Sequence, residues 1–209
     1  DIELSIRSSA ASAIGTRRIE GTASHLAGTT QQIDSHILTV AGHVGSKAIT
    51  VAAGADAKTV AAQVNQNTEL TGVSATAVTK AEIVALHSVG NVSFVIGTDT
   101  TTSKSATITT TNISAVSDLT ALRDAINDKS GTTNITAEVV NNDKSRIILT
   151  HATGDDIVIS SIGSSSPAMT GRSLGADETD TNSMGSTATT RALVIGTRAA
   201  TTTGLATAA

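Results

Sequence analysis

Part of this chain is written twice. AKTVAAQVN (57–65) followed by GVSATAV (72–78) returns as LTALRDAIN (119–127) followed by NITAEVV (134–140). Asn65 and Asn127 correspond at a separation of 62 residues. The same separation pairs Asp56 with Asp118, Val60 with Leu122, Val64 with Ile126, Val73 with Ile135 and Ala75 with Ala137, without a gap. A period of this kind marks a supersecondary unit copied in tandem, so both copies are expected to fold alike.

Each copy carries the same order of patterns. Two β-like runs come first, at 37–40 and 49–52 in one copy and at 92–96 and 106–110 in the other. A helix follows. Ala57, Val60, Ala61 and Val64 fall at helical spacing, as do Leu119, Leu122 and Ile126. Asp56, and Ser117 or Asp118, stand where an N-cap satisfies the first free amides of a helix. Strands at 73–78 with 83–86 are expected to close the first unit, and at 135–140 with 146–150 the second, with a further strand at 157–159. The fold class is therefore α+β: two related ββαββ units, small antiparallel sheets each covered by one helix, plus flanking strands and Ser/Thr-rich loops.

The flanks complete a four-part organisation. Residues 1–35 are a lead-in, with Ile2, Leu4 and Ile6 alternating as a half-buried strand before a small, polar loop at 8–15. Residues 36–88 hold the first unit and 89–162 the second. Residues 163–209 read as Ser/Thr/Gly-rich loop, including SSSP and ADETDTNS, with one return strand at 192–195.

Composition limits what such a fold can do. Phe94 is the single aromatic residue of the 209. Aromatic side chains bury about 150–250 Å² each and dominate cores and hot spots. This core must therefore be built from Ala, Val, Ile and Leu, and a base-stacking or sugar-stacking platform is not expected. A net charge of −4 gives no basic footprint for nucleic acid or anionic lipid. No apolar run approaches the roughly 18 residues needed to cross a bilayer. The start, Asp1-Ile2-Glu3-Leu4, has none of the regions of a signal peptide, which by itself points to the cytoplasm. The absence of cysteine removes disulfides, thiol catalysis and Cys-ligated zinc.

The helix ending in DAIN, the strand ITAEVV and the run RIILTHATGDDIVI (146–159) resemble the IN repeat of the central region of bacterial flagellins and of related hook-associated and cap proteins. VAAQVN with GVSATAV is similar to a more divergent copy, with Val64 where the motif has Ile. The opening DIELSIRSSAASAIG (1–15) resembles the point in pseudomonad-type flagellins where the chain leaves the helical core for the outer domains. The resemblance spans about the first three quarters of the chain. Sustained heptads, which build the filament core in flagellins, are missing here.

What the resemblance implies is a structural, non-catalytic outer domain on the surface of the flagellar filament, extracellular and antigenic. Its partners would be other flagellin subunits, through the missing terminal helices and outer-domain contacts, and host antibodies. The isolated chain is expected to be a monomer. The outer domain of a cap or hook-associated protein is the alternative within the family. A secreted adhesin or glycan-binding module is the alternative of another class, and it needs a concave polar site. Some flagellins carry O-linked glycans on outer Ser and Thr, for which hydroxyls at 100–103 or 164–166 would serve.

The residues themselves offer no catalytic, cofactor or metal site. His25, His36, His43, His87 and His151 form no HExxH and no i, i+4 pair enclosing a carboxylate, so ordinary strand or loop positions are expected. Asp177, Glu178 and Asp180 lack the ligand spacing of a calcium loop. Asp155 and Asp156 are expected to cap a turn after Gly154. No GxSxG surrounds any serine, and Arg17-Arg18 is too short a basic run to steer a polyanion. The sequons at Asn91, Asn112 and Asn134 are chance products of a Thr/Ser-rich chain.

Overall fold

A computed structural model of the chain describes residues 35–98, 104–141, 143–160, 166–167, 169–174, 186–188 and 192–195. The strand expected at 2–6 and the loop at 8–15 lie outside these residues.

The first unit opens with a hairpin, β1 (His36–Ala41) and β2 (Ser46–Val51), closed at its tip by the Gly42 amide donating to the Gly45 carbonyl at 2.9 Å. Helix α1 (Ala57–Asn65) begins where Asp56 accepts from the Thr59 amide at 2.7 Å, as its sequence position predicts. A single further turn, α2 (Thr68–Thr71), ends at Gly72, whose φ of 73° is left-handed. The unit closes with β3 (Thr79–Leu86).

The second unit repeats this order. Its hairpin is β4 (Gly90–Gly97) and β5 (Ser105–Ile113), followed by α3 (Thr120–Asn127) and the one-turn α4 (Ser130–Thr133). Asn134, φ 55°, takes the left-handed position that Gly72 holds in the first copy. Strands β6 (Ile135–Val140) and β7 (Asp143–His151) follow, then β8 (Ile157–Ser160), β9 (Met169–Leu174), β10 (Ser186–Ala188) and β11 (Ala192–Ile195). The cap of α3 differs slightly from expectation. Asp118 accepts from the Thr120 amide at 3.0 Å, but Leu119 is the residue at the cap, because its side chain is wholly buried in the core.

Eleven of these fifteen elements are those expected for the two units and their return strand; the one-turn helices α2 and α4 are additions within the units, and β9 and β10 fall outside them. They cross the stretch expected to be loop, where MTGRSL and STA have too little apolar alternation to announce strands. The sheets around them give them a place.

All pairings are antiparallel, and the strands form three sheets: β1-β2, β11-β8-β4-β5 and β10-β9-β3-β7-β6. The two units thus share the five-stranded sheet. Strand β3 of the first unit lies between β7 of the second and β9. That arrangement explains a strand that does not form. Residues 73–78 keep an alternating burial pattern but belong to no ladder. Their counterpart β6 turns back through 140–143 and pairs with β7. Both edges of β3, however, are already taken, so the preceding segment has no edge left to join.

The core lies between the four- and five-stranded sheets. Phe94 and Ile96 of β4, Ile108 of β5, Ile83 of β3, Ile147 and Leu149 of β7, and Ile157 and Ile159 of β8 are all fully buried within it. Helix α3 packs on β5 and β6, the edge strands of the two sheets, and fills the opening between them with Leu119, Leu122 and Ile126. Each buried Leu or Ile contributes about 1.5–3 kcal/mol of transfer free energy, which compensates for the near absence of aromatics. Helix α1 has no comparable cleft. It covers a two-stranded hairpin, and of its apolar positions only Val64 is buried.

The repeated asparagine clasp as candidate functional site

The residue that ends each copied helix performs the same task twice. In the first unit the Asn65 side-chain amide donates to the Ala75 carbonyl at 2.9 Å, while its oxygen accepts from the Ala75 amide at 2.8 Å. In the second, Asn127 donates to the Ala137 carbonyl at 2.9 Å and accepts from the Ala137 amide at 2.7 Å. A side-chain amide held against one backbone residue reproduces a strand pairing. It fixes the segment that follows against the end of the helix that precedes it, a strand in the second unit and a run outside any ladder in the first.

Between helix and strand the chain must reverse, and a second pair of residues secures the reversal. Thr71 donates to the Asn67 carbonyl at 3.0 Å and accepts from the Val73 amide at 3.1 Å. Thr133 donates to the Lys129 carbonyl at 3.1 Å and accepts from the Ile135 amide at 3.2 Å. Both threonine side chains are buried, where an unmatched hydroxyl would be costly. Gly72 and Asn134 then supply the positive φ, which glycine adopts freely and asparagine tolerates. Thr71/Thr133 and Gly72/Asn134 stand at the same 62-residue separation as the asparagines. Extending the repeat comparison across the gap would have found them.

A third feature joins the copies. After β7 the chain turns through Gly154, φ 79°, whose amide donates to the His151 carbonyl at 3.3 Å. The Gly154 carbonyl accepts from the Lys58 amide in the first turn of α1 at 3.2 Å. Lys58 Nζ reaches both oxygens of Asp155, at 3.1 and 2.9 Å. Asp155 therefore does more than cap its turn: it ties the second unit to the helix of the first. A Cβ on Gly154 would lie 2.3 Å from the Cβ of Ala77, so only glycine permits this approach. Arg146 of β7 also pairs with the buried carboxylate of Glu82 on β3, across the same junction.

His151 ends β7 with its side chain 1% exposed. Its Nδ1 accepts from the Asp155 amide at 3.2 Å and lies 3.6 Å from Asp155 Oδ2. Burial holds its pKa below the ordinary histidine value, against the opposing pull of the Asp155 charge. Burial pushes the Asp155 carboxyl upward, but hydrogen bonds from Lys58 and Thr153 outweigh it and leave that pKa low.

The other histidines do not meet. His36 is in β1, His43 sits in the turn beside Gly72, and His87 Nε2 contacts Thr170 Oγ1 at 2.7 Å; His25 lies outside the described residues. Among the described residues no three His, Asp or Glu side chains are gathered as metal ligands, and Asp177, Glu178 and Asp180 are not among them. Nor is Arg17-Arg18. Ser166, one of the hydroxyls considered for a glycan, is engaged instead, accepting from the Ser93 amide at 2.7 Å and donating to the Ser93 carbonyl at 3.0 Å.

Fold and clasp together define a duplicated α+β repeat in which the same polar chemistry closes each copy. Residues 38–85 and 91–153 match the family described as flagellin hook IN motif, and the two matches take in more than half of the chain. The chain belongs to this family, as a flagellin-type or hook-associated structural domain. A search of curated proteins finds no match. No helix among the described residues is long and apolar enough to cross a membrane.

Proposed function

We propose that this chain is the outer, surface-exposed domain of a flagellin, non-catalytic, set on the exterior of the extracellular flagellar filament. The observation that carries the proposal is the double family match on two units closed by the same clasp. Its work is mechanical: to hold a fixed shape at the filament's outer radius and to present loops to neighbouring subunits and to host antibodies. The construction suits that work, since clasp and core constrain the frame while loops can vary without disturbing it. Attachment of O-linked glycans to residues 100–103 belongs to the same proposal; these lie outside the described residues, as does the stretch 1–15 on which the pseudomonad-type resemblance rests.

Antibodies raised against the chain test the assignment on intact flagella by immunogold labelling. Label along the whole filament is the expected result. Label confined to the tip or to the hook junction would reassign the chain to a cap or hook-associated protein.

A further inference from the structure

The junction at residues 151–155 stores more chemistry than a structural turn needs. A buried imidazole, a carboxylate and a lysine stand in series, and each is bonded to the next element: His151 Nδ1 to the Asp155 amide, Asp155 to Lys58, and the Lys58 amide to the Gly154 carbonyl. We propose that this turn is a pH-operated latch: below neutral pH a proton taken up by His151 draws the Asp155 carboxylate off Lys58 and frees helix α1 from the second unit.

The geometry sets the direction. Neutral His151 uses Nδ1 as an acceptor, so its ring proton is on Nε2, which is buried and has no hydrogen-bond partner. A second proton must go to Nδ1. There it abolishes the bond from the Asp155 amide and places a donor 3.6 Å from Asp155 Oδ2, in competition with Lys58 and with Thr153, whose hydroxyl donates to that oxygen at 2.9 Å. The charged groups around the ring are Asp155 from the turn, Lys58 from α1 and Lys104 just before β5; both lysines oppose a second positive charge. Asp156, also buried, is next in the chain. On the flanking strands His151 is in register with Thr79 of β3 and Ile135 of β6, both uncharged. Charge at this site is therefore relieved by opening the turn to water, and opening releases the Gly154 carbonyl from Lys58.

The sign follows from linkage. The folded pKa of His151 is depressed below its ordinary 6.5, so the closed latch keeps its full stability above that value and loses it as pH falls. If opening restores the ordinary pKa, the open population rises between pH 7.5 and 5.5, by at most about tenfold.

Amide hydrogen exchange on the full chain, corrected for the intrinsic pH dependence of exchange, reads this directly. The Lys58 amide is expected to lose protection over that range, by at most about tenfold, while Ala137 and Leu149 in β6 and β7 keep theirs. Unchanged Lys58 protection would overturn the proposal, as would an equal loss in β6 and β7, which is global acid unfolding. His151→Gln should remove the step. Should that variant not fold, Lys58→Met decides: with the carboxylate already released, protection of the residue-58 amide should be low at pH 7.5 and the step well below that of the unaltered chain. A step in Lys58→Met as large as in the unaltered chain would contradict the latch.

Discussion

A side-chain amide carries a donor and an acceptor on one planar group, and the clasp uses both. Aspartate at the same place would keep the acceptor but set a second oxygen against the Ala75 or Ala137 carbonyl; leucine would fill the space and bond to neither. This is the physical content of the asparagine that ends each copied helix. The two clasps are not equally sheltered, since Asn65 is exposed and Asn127 half-buried. Asn127→Ala is expected to cost about 1–3 kcal/mol, because it strands both polar groups of a partly buried residue. Asn65→Ala should cost clearly less, since water can replace its bonds. Urea unfolding of the two variants measures the difference. The strictest residue of the junction is Gly154, where both the left-handed φ and the contact with Ala77 forbid a side chain. Gly154→Ala should lower stability by roughly 2–4 kcal/mol in the same measurement.

The elements of the two copies share a plan but not a burden. Helix α3 fills a cleft between two sheets, whereas α1 lies over one hairpin. Leu122→Ala therefore removes a wholly buried side chain and should cost about 2–5 kcal/mol by thermal or urea unfolding. Val60→Ala, at the equivalent place on α1, should cost about 1 kcal/mol or less. An equal cost at both sites would mean that the first unit has a core of its own. Sequence periodicity sees this symmetry and misses the asymmetry. Val60 matches Leu122 and Val64 matches Ile126, so both helices were legible, with the cap of α1 at Asp56 but not that of α3 at Leu119, and so were the hairpins. The strand expected at 73–78 was not a misreading of the local pattern, which does alternate. It fails because a strand also needs a free neighbour, and β3 has given both its edges to strands from elsewhere in the chain. Strands β9 and β10 were hidden for the opposite reason: weakly patterned segments are held by the edges that others offer. The clasp partners Ala75 and Ala137 were in view as matched positions, but nothing local shows that an alanine's backbone is what the asparagine grips.

For the molecule as a whole, the duplication yields one joined structure rather than two beads. Strand β3 crosses into the second unit's sheet, Glu82 meets Arg146, and Lys58 meets Asp155, so the first unit leans on the second for much of its stability. Such a body suits the outer-domain role proposed for it, since its frame is held by a shared sheet and by bonds between the units. That claim is tested most directly by deleting residues 36–162 from the intact gene and imaging the flagella by electron microscopy. Filaments that still assemble, with a smaller outer diameter, are the expected result. Filaments of unchanged diameter would contradict the claim.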